Sequence, residues 1–327
     1  MRLFLAAVVL TVLGLLGVGY SWVQSPLDLD TPVVDVSIAP GSSARQVANS
    51  LAEAGVHANP SLLYWWFRLS GQSRAIKAGS YELEAGTTPQ SLLHKFVNGD
   101  QALRNVTLVE GWTFVQVREA LRKAQHLKPD SAPLSAQELM GQLGLPNLHP
   151  EGRFFPDTYS YAKGSSDIAV LQRAMRAMDQ QLEAAWSLRN PQVPLKTPED
   201  ALVLASIIEK ETGRASDQGL ISAVFNNRLL IGMRLQTDPT VIYGLGESFD
   251  GNLRRADLVA DTPYNTYTRE GLPPSPISMP GKTALLAAVQ PAASKALYFV
   301  ARGDGSSEFS ESLDAHNRAV NKYQRGQ

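Results

Sequence analysis

The sequence predicts an α+β fold in which one long apolar helix precedes a mixed body. Helical periodicity and strand-like runs alternate along the 327 residues without a regular parallel strand–helix–strand rhythm. A strand, glycine-turn and helix pattern occurs three times between residues 38 and 117. A chain of this length can bury one large core and a smaller one, so we expect two parts.

The N-terminal apolar run covers residues 3–19 and contains a single threonine. It is long for the core of a signal peptide and just long enough to span a bilayer. Arg2 precedes the run and acidic residues follow it, which predicts that the body lies outside the membrane. We expect an uncleaved transmembrane anchor over residues 1–22 and a polar linker over residues 23–32. A cleaved signal peptide is the alternative.

The composition excludes several classes of function. The chain has 30 basic and 31 acidic residues, which argues against a nucleic-acid partner. It has no cysteine, which excludes a disulfide, a lipoprotein anchor and a thiol nucleophile. The five histidines do not fall at ligand spacing on one helix. We therefore expect neither a metal nor a cofactor.

The recurring unit begins with a strand end and a glycine turn, followed by a hydroxyl N-cap and a helix. Ser43, Thr88 and Thr113 are the N-caps of its three copies. The first two copies predict a small strand–helix–helix–strand module over residues 33–103, and the larger body follows over 104–327. Helices are predicted near residues 60–69, 135–144, 168–185, 218–230, 282–289 and 312–323, with another capped by Thr197 and a strand at 298–301.

The stretch Ala-Ser-Ile-Ile-Glu-Lys-Glu-Thr at 205–212 places two carboxyl groups in a helix that is apolar around most of its circumference. Ser206 and Lys210 mark its polar side. Glu209 and Glu211 fall on opposite shoulders of the apolar face, so at least one should be desolvated, with a raised pKa. That is the protonation state that a general acid needs. Helix geometry does not choose between the two, and pairing of both with basic residues is the structural alternative.

Several other segments are rich in aromatic, amide and hydroxyl side chains, which suit a sugar cleft because rings stack on pyranose faces. One is Glu-Gly-Arg-Phe-Phe-Pro-Asp-Thr-Tyr at 151–159, and another is Met-Arg-Leu-Gln-Thr-Asp-Pro-Thr-Val-Ile-Tyr at 233–243. Others are Tyr-Asn-Thr-Tyr at 264–267 and Gly-Leu-Pro-Pro-Ser-Pro-Ile at 271–277. Together with the two-glutamate helix, they resemble the endolytic murein transglycosylases of the YceG-like family, from about residue 33 to the C-terminus.

The resemblance implies a lytic transglycosylase, in which one acid cleaves the bond between N-acetylmuramic acid and N-acetylglucosamine and leaves a 1,6-anhydro end. Glu209 matches the family's catalytic glutamate. Candidates for substrate binding are Gln236, Thr237, Asp238, Tyr243, Asn265 and Tyr267, and supporting candidates are Glu211, Glu151, Asp157 and Asn227. Asp238 in a turn or helix cap, and Tyr267 in the core, are the structural alternatives. An essential Glu151 or Asp157 beside Glu209 would favour hydrolysis.

The resemblance also implies a LysM-like subdomain over 33–103 and a catalytic domain over 104–327. It implies a single-pass protein of the bacterial inner membrane, with the catalytic domain on the periplasmic side. Peptidoglycan strands are the expected substrate, strand-length control the expected role and peptidoglycan synthases candidate partners. A hydrolytic muramidase and a non-catalytic scaffold are the alternatives. The stretch Ser-Ser-Glu-Phe-Ser at 306–310 lacks the family's histidine, which Glu308 is a candidate to replace.

Overall fold

A computed structural model describes residues 1–324, apart from the side chains of residues 2 and 3. The last three residues of the expected range 104–327 therefore lie outside the described part of the chain. The fold is mixed α+β, as the sequence predicts. The chain forms two compact units, the first made of Met1–Arg104 and Ser160–Ser165, the second of Asn105–Tyr159 and the chain from Ser166 onward.

Unit 1 contains an antiparallel strand pair flanked by helices. Strands β2 and β4 pair from Val33 opposite Glu84 to Ile38 opposite Gly79. The predicted strand–helix–helix–strand order is present, with the short strand β3 between the two helices. The elements are α1 (Arg2–Gln24), β1 (Asp28–Leu29), β2 (Val33–Ile38), α2 (Ala44–Glu53), β3 (Val56–His57), α3 (Pro60–Leu69), β4 (Gly79–Glu84) and α4 (Pro89–Asn98).

Helix capping in unit 1 follows the sequence prediction. The Ser43 hydroxyl accepts a hydrogen bond from the Gln46 amide at 3.3 Å, and the Gln46 side chain accepts one from the Ser43 amide at 2.8 Å. Thr88 caps α4 in the same manner. These reciprocal bonds satisfy amide groups that a helix leaves unpaired at its first turn.

Helix α1 is long and apolar enough over Phe4–Gln24 to cross a membrane. Its end is tied to unit 1, because Trp22 packs against the unit 1 core and Val23 is 8% exposed. Leu27, also 8% exposed, donates its amide to the Thr87 carbonyl at 2.7 Å. Two apolar side chains of residues 23–32 are therefore buried, while most of the other residues in this segment are exposed.

Unit 2 is predominantly helical. The chain passes between the two units at β5 and β6, which pair with each other. Strands β6 and β8 and helix α11 were not predicted. The elements are β5 (Leu103–Thr107), α5 (Phe114–Lys123), α6 (Ala136–Gln142), β6 (Thr158–Ala162), α7 (Asp167–Ser187), α8 (Pro198–Glu211), α9 (Ala215–Leu230), α10 (Asp238–Leu245), α11 (Arg255–Val259), α12 (Lys282–Val289), β7 (Tyr298–Ala301), β8 (Ser307–Ser310) and α13 (Leu313–Gln324).

Helix α8 runs through the centre of the unit 2 core, packed by α7, α9, α10 and α12. Its N-cap is Thr197, whose hydroxyl accepts from the Asp200 amide at 3.1 Å. Ser206, expected on a polar side, is fully buried. Its hydroxyl donates to the Val203 carbonyl at 2.7 Å and accepts from the Ile277 amide at 3.0 Å. The polar side that Ser206 marks is therefore not exposed at this position, because a neighbouring segment covers Ser206 and satisfies its hydroxyl group.

Candidate active site

The C-terminal turn of α8 places its two glutamates in different surroundings. The Glu209 carboxylate accepts a hydrogen bond from the Gly281 amide at 2.9 Å, at the N-cap of α12. Burial raises the pKa of Glu209, and the nearby Glu110 carboxylate raises it further. The Gly281 amide and the Lys210 ammonium group oppose this shift, since both favour the charged form.

The Glu211 carboxyl accepts a hydrogen bond from the Thr237 hydroxyl. Burial raises the pKa of Glu211 to about 7, and the charge of Asp238 contributes to the increase. The Thr237 hydrogen bond and the Arg228 charge oppose it. Near neutral pH this carboxyl group therefore exists partly in its protonated form, which can donate a proton.

Glu211 lines a cavity of about 570 Å³ with both polar and apolar walls, here called the Glu211 cavity. Four of the six predicted substrate-binding residues line it as well: Gln236, Thr237, Asp238 and Tyr267. The other lining side chains include Arg228, Tyr298 and His316, which the sequence analysis did not select. The cavity thus combines two carboxyl groups, an arginine, amide and hydroxyl groups, an imidazole, three other aromatic rings and several aliphatic side chains.

A strained turn before α10 shapes one wall of this cavity. Gln236 adopts a left-handed backbone conformation with φ of 48°, which is uncommon for a residue other than glycine. The Gln236 amide donates to the Thr266 carbonyl at 3.1 Å, and the Thr237 amide donates to the Thr266 hydroxyl at 3.1 Å. The Tyr267 hydroxyl donates to Asp238 at 2.5 Å. Thr266 thus holds the turn, and Asp238 holds the tyrosine ring beside it.

Arg228 supplies a fixed positive charge to the Glu211 cavity. Its guanidinium group donates to the carbonyls of Leu297 at 2.7 Å and Leu235 at 2.6 Å. Both acceptors are uncharged, so these bonds do not neutralise the positive charge. The His316 ring stacks on Tyr298 with centroids 5.2 Å apart. The Nδ1 atom of His316 is buried without a hydrogen-bond partner in the described chain, and burial lowers the pKa of this imidazole.

A second cavity, of about 690 Å³, surrounds Glu151 and is here called the Glu151 cavity. Glu151 is 2% exposed, and its carboxyl accepts from the Phe114 amide at 2.9 Å and the Tyr243 hydroxyl at 3.1 Å. Burial raises the pKa of Glu151 to about 7. Lys210 and Tyr243 line this cavity, whereas Glu209 lines neither cavity.

Comparison with known proteins identifies the family. The profile of the YceG-like family matches residues 36–322, which is most of the chain. The chain belongs to the YceG-like family.

Its relatives agree with this assignment. The endolytic murein transglycosylase of Bacillus subtilis (strain 168) is 30% identical over 316 residues, which cover 91% of this chain and 87% of the relative. That of Streptococcus pneumoniae (strain D39) is 27% identical over 92% of this chain, which spans only 61% of that relative's length. The crystal structure of a YceG-like protein from Listeria monocytogenes aligns with 30% identity and a TM-score of 0.56, over 88% of this chain and 98% of that one. The resemblance inferred from sequence motifs is confirmed.

Within this YceG-like chain, three residues expected near the substrate have other surroundings. Asn265 is fully buried, and its amide donates to the carbonyls of Asp257, Leu258 and Ala260 at 3.1, 3.2 and 2.6 Å. Asn265 lines neither cavity, and its side chain binds the C-terminal end of α11.

Asn227 and Asp157 also line neither cavity. The Asn227 amide donates to two carbonyls in the segment before β7, each at 2.9 Å. Asp157 is exposed, and its carboxylate accepts from the Thr158 amide at 2.7 Å. Glu308 forms an ion pair with Arg302 at 2.5 Å and does not line the Glu211 cavity, where His316 is the histidine present. Among the described residues, no group of three potential ligands is arranged to hold a metal ion.

Proposed function

We propose that this protein is an endolytic lytic transglycosylase that cleaves the glycan strands of peptidoglycan. Its family and the names of its curated relatives support the reaction class. The observation that carries the proposal is Glu211, a carboxyl group with a pKa of about 7 that lines a cavity. Cleavage of a glycosidic bond requires proton donation to the leaving oxygen, and such a carboxyl group provides it near neutral pH.

In the proposed mechanism, protonated Glu211 donates its proton to the oxygen that bridges N-acetylmuramic acid and N-acetylglucosamine. The bond from the muramyl C1 to that oxygen breaks, and C1 acquires oxocarbenium-like positive charge. The Glu211 carboxylate then accepts the proton of the muramyl C6 hydroxyl, while the C6 oxygen forms a bond to C1. The products are a free hydroxyl on N-acetylglucosamine and a 1,6-anhydro-muramyl end. Glu211 regains its proton, and no water is consumed.

We assign the acid role to Glu211, whereas the family resemblance alone assigned it to Glu209. Glu211 shares its cavity with four predicted substrate-binding residues. The Glu209 carboxylate instead accepts from the Gly281 amide, where it caps the start of α12, a helix that has no side-chain cap of its own. The hydrogen bond from Gly281 at this helix N-terminus favours the ionised form of Glu209 and opposes the burial that raises its pKa, and we give Glu209 a structural role.

The two assignments are separated by matched variants of the full chain, in detergent, acting on purified peptidoglycan. Glu211→Gln should lower product formation by about 10² to 10⁴, as expected for loss of a general acid. Glu209→Gln should retain cleavage, and the exposed Glu247→Gln serves as a control. Mass spectrometry reads the products. Loss of cleavage only in Glu209→Gln would show that Glu209 is the acid. Full activity in both variants would refute the proposed catalytic mechanism.

Hydrolysis is the second candidate reaction. It is favoured by Asp238, whose carboxylate lines the same cavity as Glu211 and could activate a water molecule. The product mass distinguishes the reactions, since a hydrolysed reducing end is heavier by one water than a 1,6-anhydro end. A non-catalytic peptidoglycan-binding scaffold would release no products and would be unaffected by Glu211→Gln.

We also propose that α1 anchors the protein in the bacterial inner membrane, with unit 2 and the part of unit 1 that follows α1 on the periplasmic side. Residues 33–103 would form a LysM-like module and residues 104–327 the catalytic domain, which would limit the length of nascent strands beside peptidoglycan synthases. The strand–helix–helix–strand order of unit 1 supports the module assignment. Deletion of residues 1–20 should release the protein from membranes without loss of cleavage. The deletion spares Trp22, which packs on the unit 1 core. Membrane association of the shortened protein would reveal a second anchor.

A further inference from the structure

Unit 1 contains a cavity of about 690 Å³ at the end of the strand pair where β2 ends and β4 begins. Three arginines line it: Arg45 at the start of α2, Arg68 near the end of α3 and Arg74 in the segment before β4. Tyr64 and three serines supply further polar atoms. We call it the arginine cavity.

The arginine cavity carries uncompensated positive charge. No acidic residue lines it, and none of its three arginines forms an ion pair with a carboxylate in the described part of the chain. The Arg45 guanidinium lies over the Tyr64 ring, 4.6 Å from its centroid, which leaves its N–H groups free to point sideways. The ten-residue helix α2 begins at the same wall, and its amide end adds to the positive potential.

A second cavity of unit 1 provides an internal contrast. It is lined by Glu84 and Asp100 together with Lys95, so charges of both signs are present there. The arginine cavity has only one sign. Guanidinium groups bind carboxylates and phosphates through paired hydrogen bonds, so three of them around one cavity suit an anionic ligand with several oxygens.

The position of α1 within unit 1 indicates where that ligand comes from. Helix α1 contacts α4, and just after α1 the Leu27 amide donates to the Thr87 carbonyl. Strand β2 begins at the same end of unit 1, where Val33 pairs with Glu84. The arginine cavity lies at the other end of the six-residue strands, roughly 17–20 Å away. Lipid headgroups beside α1 would therefore lie at the end of unit 1 opposite the arginine cavity.

We propose that the arginine cavity binds the carboxylate groups of peptidoglycan stem peptides. This inference rests on the proposed function, because it takes peptidoglycan as the polymer that the protein meets. N-acetylglucosamine is neutral, and in a strand that carries peptides the lactyl carboxyl group of N-acetylmuramic acid forms the amide bond to the peptide. The free carboxylates of such a strand therefore lie on its peptides. The cavity therefore recognises strands that carry peptides, while the Glu211 cavity of unit 2 acts on the sugar chain.

The test is calorimetric titration of the full chain in detergent with a short stem peptide that has free carboxylates. The same peptide with every carboxylate amidated is the ligand control. The variants are the triple Arg45→Gln/Arg68→Gln/Arg74→Gln and single Arg74→Gln. Lys77→Gln is the matched control, because this substitution removes one positive charge from the same unit and Lys77 does not line the cavity. The arginines are exposed, so the variants should fold, which circular dichroism checks.

We expect the acidic peptide to bind and the amidated peptide not to bind. One exposed charge pair changes affinity by up to about fivefold, so the triple variant should bind on the order of tenfold or more weakly. Arg74→Gln should show a smaller loss, and Lys77→Gln none. Equal binding of the amidated peptide would overturn the proposal. So would arginine-dependent binding of a neutral N-acetylglucosamine oligomer, or of phosphatidylglycerol vesicles in place of the peptide.

This assay is independent of cleavage. If Glu211→Gln and Glu209→Gln both remained fully active, the proposed function would fail while the titration could still succeed. If cleavage behaved as proposed but the triple variant bound the peptide as tightly as the parent, only the inference about the arginine cavity would fail.

Discussion

Replacement of Glu151 by glutamine should change the pH dependence of stability in unit 2. Glu151 is 2% exposed, and burial raises the pKa of its carboxyl from 4.5 to about 7. The folded protein therefore holds this proton more tightly than the unfolded chain does. The resulting stabilisation is fully present below pH 4.5 and is lost as the pH rises through about 7, where the buried group must ionise.

The size of the effect follows from this shift of pKa. At about 1.4 kcal/mol per pKa unit, the shift corresponds to about 3 kcal/mol between the two ends of the range. Glutamine has the size of a protonated glutamate and cannot ionise. Its carbonyl can accept from the Phe114 amide, and the Tyr243 hydroxyl can turn to accept from its NH₂ group. Glu151→Gln should therefore have about the parent stability near pH 4.5 and be about 2–3 kcal/mol more stable at pH 8.

The assay is urea unfolding of the full chain in detergent at both pH values, followed by tryptophan fluorescence. Glu247→Gln is the matched control, because Glu247 lines the same cavity but is exposed, so its carboxylate carries no burial cost. A difference between Glu151→Gln and the parent that is the same at both pH values would refute the reasoning. So would a variant less stable than the parent at pH 8.

Three other outcomes are expected. Asn265→Ala should lower the free energy of unfolding by about 2–4 kcal/mol, because three carbonyls at the C-terminal end of α11 lose their donor, and a thermal melt close to that of the parent would contradict this. Ser206→Ala should cost about 1–3 kcal/mol in urea unfolding, since it leaves the buried Ile277 amide unpaired, whereas the exposed Ser216→Ala should cost little. The kcat/KM for glycan cleavage should fall about tenfold per pH unit above about pH 7, as Glu211 loses its proton, and a flat profile would contradict its role as acid.

Some of the predicted chemistry could not be placed without the tertiary structure. Glu211, Arg228 and His316 line one cavity although nearly 90 positions separate the last two along the chain. Asn265 belongs to a motif rich in sugar-binding residue types, yet its amide binds the C-terminal end of α11. Amide and hydroxyl groups suit a cleft and a helix end equally well, so residue type alone does not separate the two.

The sequence by itself determined most of the helices and the family. The N-caps at Ser43, Thr88 and Thr113 are confirmed, because capping depends on residues three positions apart. The tertiary structure decided which parts of α8 meet water, including the burial of Ser206 by the segment at Ile277. It also put Glu211, and not Glu209, beside the cavity of about 570 Å³. Desolvation depends on the segments that fold over a helix, and those segments come from distant parts of the chain.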